Sequence, residues 1–239
     1  MTRCLGFDNR IIDATVDRIE ESSAKKGAEP SPFSQHPIEK ESFRIISEEL
    51  DEEGSDALRL PIIKRVIHTT ADFEFKDILK FSPGSVEAGI EAIRSGHDII
   101  TDVKMVESGI TKGRLKPFGV TVRCFSSDRD ITNRAAAAGT TKTAASMRKA
   151  APYLAGSIVA IGNAPTALTE LLKMIREGCP RPALIVGVPV GFVGAVESKD
   201  ELMGSGLASI ASAGRKGGST VAAAIVNALL IEAGLLALK

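Results

Sequence analysis

The sequence predicts an α/β fold: a doubly wound, mostly parallel β-sheet with helices on both faces, which makes three layers. Short apolar runs alternate along the chain with segments rich in Ala, Leu, Lys and Glu, residues that form helices readily. The runs at 158–161 and 183–188 are apolar throughout, which is typical of central parallel strands covered on both faces. Such sheets bind their ligands beyond the carboxyl ends of the strands.

The chain divides by composition near residue 37. Residues 11–19 form a short amphipathic stretch, and residues 22–37 are rich in Ser, Lys, Gly and Pro. We therefore predict an N-terminal extension and linker at residues 1–37 and one α/β domain at residues 38–239. The domain begins with a predicted amphipathic helix at 38–53.

The remaining elements follow from apolar runs and helical spacing. In residues 57–70, Pro61 suits the first turn of a helix, although periodicity alone leaves strand or helix open. The candidate strands are residues 98–101, 119–125, 157–161, 183–188 and 207–211. The candidate helices are residues 86–95, 130–154, 166–177, 198–204 and 219–238.

Composition argues against several partners. Thirty Lys and Arg balance thirty Asp and Glu, so no global field attracts nucleic acid or an anionic membrane. With no Trp and one Tyr, the chain has little material for stacking on single-stranded nucleic acid. An anionic ligand must therefore be held by a local cluster of charge.

The cysteines and the apolar runs both bear on the cellular compartment of the protein. Cys4, Cys124 and Cys179 are odd in number and lack metal-like spacing, which suits small buried side chains in a reducing compartment. We find no signal-peptide apolar region at the start, and no later apolar run that is long enough and free enough of Gly and Pro to span a bilayer. These features predict a cytoplasmic protein.

Three glycine-rich turns follow predicted strands, at residues 162–165, 187–194 and 214–220. In the last, Ser219 can cap a helix whose amino terminus favours negative charge, and Arg215 adds to that attraction. Taken singly, each is also consistent with an ordinary turn of a doubly wound fold. None fits a dinucleotide or P-loop fingerprint, so we predict no cofactor.

His68 is the strongest acid–base candidate in the sequence. It lies in an apolar element with a polar exit, and Arg65 lies one turn before it if the segment is helical. The alternative is a core or capping histidine. Asp102 and Glu107 suggest acid–base work or, alternatively, helix caps and solvated charges. We find no nucleophile elbow and no histidine pair with metal-ligand spacing, so we predict neither nucleophilic nor metal catalysis.

Several segments together resemble the precorrin-8X methylmutases, also called cobalt-precorrin-8 methylmutases. The resemblance runs in order from about residue 38 to the carboxyl end, and no counterpart is evident for the extension. Its motifs are VIHT (66–69), TDVKMV (101–106) with GI (109–110), VAIGNAPTAL (159–168), GVPVGFVGA (187–195), ESKD (197–200) and GGS (217–219).

The resemblance implies an isomerase that moves a methyl group between adjacent carbons of ring C, without an external donor or redox cofactor. Its substrate and product are tetrapyrroles, and the family is homodimeric. The family's active-site histidine falls on His68, and its substrate contacts carry onto Ser42 and Arg65. The family commonly shows Thr-Arg-Ser where this chain has Thr, Lys142 and Thr, so we expect Lys142 in the site with altered affinity.

Arg215 and Ser219 are added as substrate contacts on physical grounds alone, since the substrate carries many carboxylates. Two other functions remain open from the sequence. One is a carrier that binds the corrinoid without chemistry. The other is a nucleotide-binding dehydrogenase, which would require the fingerprint that is not found.

Overall fold

The computed structural model describes residues 31, 33, 36–50 and 56–237. Almost all of the predicted extension lies outside the described residues, so the boundary at residue 37 stays a prediction. The α-helices are α1 (Pro37–Glu49), α2 (Leu60–Thr70), α3 (Phe75–Ile78), α4 (Ser85–Arg94), α5 (Lys104–Gly109), α6 (Lys112–Leu115), α7 (Ile131–Ala137), α8 (Lys142–Lys149), α9 (Pro165–Arg176), α10 (Ala195–Gly204) and α11 (Ser219–Ala237). Short 3₁₀ turns cover Lys116–Phe118 and Ala151–Tyr153.

Six strands form one mostly parallel sheet. They are β1 (Leu79–Phe81), β2 (Ile99–Thr101), β3 (Val122–Arg123), β4 (Ile158–Ile161), β5 (Leu184–Gly187) and β6 (Ser209–Ser212). The spatial order is β1-β6-β5-β4-β2-β3, and only β1 runs antiparallel to its neighbour, β6. Every residue of β2, β4, β5 and β6 is buried, and the unbroken apolar runs of β4 and β5 predict this for those two strands.

Alternate residues of each central strand enter separate cores on the two faces of the sheet. Ile158 and Ala160 of β4 pack into one core with residues of α2, α4 and α11. Val159 and Ile161 pack into the other core with residues of α8, α9 and α10. This period of two, with helices on both faces, confirms the predicted three-layer α/β fold.

Helix α11 is the central helix of one layer. It packs against α2, α4 and α5 and touches β4 and β5. Its residues are apolar on all sides, and the helix is long and apolar enough to cross a membrane by composition alone, contrary to the expectation from the sequence. Because 67% of this stretch is buried inside the protein, a core helix accounts for its composition.

Two predicted elements were wrong in extent. The segment predicted as one helix at 130–154 is broken: Gly139 adopts φ 59° after α7, and the Thr141 side chain accepts the amide of Ala144 to begin α8. The strand predicted at 119–125 is paired over two residues only. The short elements β1, α3, α5 and α6 were missed, because three to six residues show too little periodicity.

Candidate active site

Helix α2 presents His68 near its carboxyl end, where the side chain is exposed. The hydroxyl of Ser42, from α1, lies 2.7 Å from His68 Nδ1. The ring of Phe43 stacks on the imidazole, with centroids 5.3 Å apart and planes inclined by 22°. Ser42, predicted as a substrate contact, thus meets His68 across 26 residues of sequence and orients an otherwise open imidazole.

Arg65 lies one turn before His68 and is held from two sides. Its Nη2 donates to Glu39 Oε1 at 2.6 Å, and its guanidinium lies 5.0 Å from the centre of the Phe43 ring. The two charged side chains are 11% and 18% exposed. Arg114 of α6 is buried nearby, and its pKa is lowered by burial and then by the charge of Arg65. This corner therefore brings two cationic side chains together with the carboxylate of Glu39.

The other two histidines have local structural roles. His36 Nδ1 accepts the amide of Ile38 at 3.3 Å and caps α1. The ring of His97 packs against Gly156, where an added Cβ would lie 2.7 Å from the imidazole. These contacts account for His36 and His97 locally, and neither lies beside Ser42 and Arg65.

Asp102 follows β2 and is an anchor of the backbone. Its carboxylate is 1% exposed and accepts the amides of Gly162 (3.2 Å), Asn163 (2.8 Å) and Ala164 (2.8 Å). Burial raises the pKa of Asp102, although the three amide bonds act in the opposite direction. Of the two interpretations of this residue, the geometry favours the structural one, with the carboxylate fixing the turn after β4.

The partner suggested for Asp102 does not meet it. Glu107 instead forms an ion pair with Lys104 at 2.7 Å within α5. The structure therefore gives no carboxylate pair at this position for acid–base work.

The turn after β6, residues 214–218, is called the glycine turn. Gly217 adopts φ 157°, and an added Cβ would lie 2.2 Å from the carbonyl oxygen of Val188, so a side chain has no room there. The amide of Gly218 donates to the same oxygen at 2.9 Å. Ser219 is buried and begins α11. The glycine turn is thus pressed against the carboxyl end of β5.

A cluster of ion pairs connects the glycine turn to the segment that follows α2, the helix that carries His68. Ala71 adopts the left-handed conformation, with φ 52°, and ends α2, which costs about 1 kcal/mol for a residue with a side chain. The chain that follows brings Asp72 and Glu74 to Lys216 Nζ, at 2.5 and 2.7 Å. These ion pairs join the segment that follows α2 to the glycine turn.

Arg215 is exposed at the tip of the glycine turn. Its guanidinium lies 5.3 Å from the centre of the Phe192 ring. The backbone carbonyl oxygen of Arg215 accepts a hydrogen bond from the amide of Gly191. Phe192 and Val193 are 84% and 89% exposed, in the turn after β5. A cation and two apolar side chains thus stand side by side at the carboxyl edge of the sheet.

Lys142 is the exposed first residue of α8. The hydroxyls of its neighbours Thr141 and Thr143 lie 3.0 and 2.9 Å from that of Thr166 in α9. Since α9 starts just after the turn that Asp102 holds, Lys142 stands on the same edge of the sheet. A Cβ added to Gly162 of that turn would lie 2.7 Å from Ser219 Cα, which joins this part of the edge to the glycine turn.

The six predicted site residues therefore fall into three groups along one edge. His68, Ser42 and Arg65 form the first, Arg215 and Ser219 the second, and Lys142 the third. In the part of the chain that the structure describes, no three His, Cys, Asp or Glu side chains are grouped to hold a metal.

Sequence reasoning missed several residues of this edge. Glu39 and Phe43 precede and follow Ser42 on one helical face, a spacing that would have suggested contact with α2. Lys199 lies within the ESKD motif but was given no role. Its side chain is fully buried, which no pattern in a single sequence reveals for a lysine.

A cavity of about 290 Å³ lies between α1, α2 and α11 and includes Phe43, Arg65 and Ile231 in its lining. Pockets for drug-sized ligands start at about 300 Å³, so this cavity is too small to enclose a tetrapyrrole.

The fold and the edge define a class of protein: an α/β enzyme with an oriented, solvent-accessible histidine among cations and glycine turns. The family model described as Precorrin-8X methylmutase matches residues 37–232. The chain is 45% identical over 204 residues to the cobalt-precorrin-8 methylmutase of Priestia megaterium, covering 85% of this chain and 91% of that protein. It is 43% identical over 197 residues to the precorrin-8X methylmutase of Pseudomonas aeruginosa, covering 82% and 94%.

A solved structure agrees with these relatives. The precorrin-8X methylmutase of Thermus thermophilus superimposes with a TM-score of 0.77 at 43% identity, covering 82% of this chain and 95% of that one. The chain belongs to the precorrin-8X methylmutase family. The predicted resemblance is thereby confirmed for residues 37–232.

Replacing the buried anchor should destabilise the protein. In Asp102→Asn an amide group faces at least one of the three backbone N–H donors, so we expect a loss of about 2–3 kcal/mol in the free energy of unfolding. Urea denaturation measures this change. Glu107→Gln, which removes a surface carboxylate five residues away, should cost less than about 0.5 kcal/mol. Equal stability of the two variants would contradict the structural role of Asp102.

Proposed function

We propose that this chain is an isomerase that converts precorrin-8X, or its cobalt form, into hydrogenobyrinic or cobyrinic acid. The reaction moves one methyl group between adjacent carbons of ring C within the same molecule. Family membership and the oriented His68 at an open, cation-lined edge are the observations that support this proposal. Since substrate and product are isomers, the reaction consumes no methyl donor and no oxidant.

His68 serves as the acid that sets the tautomer of the ring system during the shift. Ser42 occupies Nδ1, so Nε2 is the nitrogen that can face the substrate. A hydroxyl can either donate to or accept from Nδ1, and it can therefore accompany both the neutral and the protonated imidazole. The proton that His68 lends is recovered when the product tautomer forms, so the enzyme returns to its starting state.

Positioning supplies the rest of the rate enhancement. A well-placed general acid contributes about 100- to 10,000-fold, and holding the migrating methyl opposite its target carbon adds to this. Arg65, Lys142, Arg215 and Ser219 are the proposed contacts to the carboxylates around the macrocycle. They are local sites in a chain with no net charge, as the composition requires.

We also propose that the enzyme acts in the cytoplasm as a homodimer. The exposed apolar residues Val190, Phe192 and Val193 provide a surface that a second copy can cover. Most of α11 is buried inside the protein, which supports a water-soluble protein.

Removing the imidazole should abolish conversion and spare binding. In His68→Ala we expect turnover of precorrin-8X and its cobalt form to fall by about 100- to 10,000-fold, because the general acid is lost. The visible spectrum follows the conversion of each form, and the faster substrate identifies the natural one. Full activity in His68→Ala would contradict the role of this residue.

Two controls accompany that measurement. His97→Ala removes a histidine outside the site and should convert substrate normally. A wild-type protein that binds tightly but converts neither form would instead favour a corrinoid carrier, and a protein that binds neither would refute the proposal.

Lys142→Arg should strengthen product binding. A guanidinium grips a carboxylate with two parallel hydrogen bonds, whereas an ammonium acts as a point charge, so we expect a lower Kd by about threefold to tenfold. Lys142→Ala should shift the Kd in the opposite direction. Titrations with hydrogenobyrinic acid and cobyrinic acid measure both effects, and unchanged affinity for both ligands would remove Lys142 from the site.

Sedimentation velocity tests the homodimer. We expect a single species of twice the chain mass of 25.2 kDa. Phe192→Ser combined with Val193→Ser should shift the protein toward monomer, because the exposed apolar surface is lost. A wild-type protein that sediments only as monomer would contradict the proposed assembly.

A further inference from the structure

Lys199 of α10 is a buried cation without a carboxylate partner among the described residues. Its side chain is completely inaccessible, and it is the largest fully buried side chain described. Nζ donates to the carbonyl oxygen of Lys216 at 3.0 Å and to Ser212 Oγ at 3.4 Å. Both acceptors are neutral, whereas buried charges are normally paired with an opposite charge. Burial accordingly lowers the pKa of Lys199 to about 8.

Hydrogen bonding alone does not explain a lysine at this position. The carbonyl oxygen of Lys216 already accepts the hydroxyl of Ser212 at 2.7 Å, so it stays satisfied if the ammonium is removed. A methionine would fill a similar volume without the cost of burying a charge. The feature that requires an explanation is therefore the positive charge itself.

The charge lies directly behind the glycine turn. Lys199 donates to the backbone carbonyl of Lys216. The Lys216 side chain forms ion pairs with Asp72 and Glu74, which follow helix α2. The outward side of the same turn carries Arg215 and leads into Ser219 at the start of α11. An anion placed against this turn would meet a cation behind it, the start of a helix beside it and a guanidinium above it.

We propose that Lys199 is a positioning residue that holds the glycine turn and places a positive charge beneath it for a substrate carboxylate. The inference rests on the proposed function, since it assumes that the turn meets the macrocycle's carboxylates. Lys199 acts on binding through the turn and makes no contact with the reacting carbons. Its removal should therefore change the affinity for ligand and KM much more than kcat.

The test compares charged and uncharged forms of one ligand. Hydrogenobyrinic acid and its fully methylated ester are titrated by visible absorption into wild type and Lys199→Met, and thermal unfolding is followed for each protein. We expect the Kd of Lys199→Met for the acid to rise about tenfold, its Kd for the ester to change less than about twofold, and its Tm to equal or exceed that of wild type. Lys173→Met, at an exposed lysine of α9, is the matched control and should change neither affinity.

The outcomes separate this inference from the proposed function. Wild type that does not bind the acid would refute the function itself. Wild type that binds it as weakly as Lys199→Met, or a variant that loses affinity for acid and ester alike, would refute the role of the charge. If Lys199→Met does not fold, Lys199→Gln repeats the comparison with a neutral donor. Failure of both variants to fold would assign Lys199 to structure alone and overturn the proposal.

Discussion

The burial of α11 is the constraint on which the site depends. Because this helix is apolar on all sides, it can be stable in water only at the centre of a layer, covered by α2, α4, α5 and the sheet. One end of the helix then fixes the glycine turn that precedes it, and one side fixes α2 with His68. The hydrophobic core thus sets the spacing between His68 and the glycine turn.

The central sheet and its covering helices could be predicted from the sequence, because uniformly apolar runs and long amphipathic segments carry a strong periodic signal. The short strands at the two sides of the sheet, and the break between two helices, could not be predicted. β1 and β3 span three and two residues, and the break between α7 and α8 depends on one glycine and one capping threonine. At such short elements tertiary contacts decide the conformation, and they are invisible to local pattern.

The candidate site could likewise be predicted only in part. His68 stood out by its setting, and the resemblance to a family carried Ser42 to the same place, where the structure brings the two within hydrogen-bond distance. Three-dimensional contacts alone separate the structural Asp102 from a catalytic carboxylate, since three backbone amides converge on it from a distant turn. Burial likewise gave Lys199 its importance. Lysine side chains are almost always exposed, so the burial of this one could not be predicted from the sequence.

Two cations of this edge are already paired. Arg65 holds Glu39, and Lys216 holds both Asp72 and Glu74. A ligand carboxylate that reaches either cation must exchange with a carboxylate of the protein, so the net gain in free energy from each exchange is small. Such contacts distinguish one orientation of a nearly symmetric ring from another without holding it tightly. Affinity would then come mainly from the apolar faces of the ring, and release of an isomeric product from the same edge would need no change in the charge of the protein.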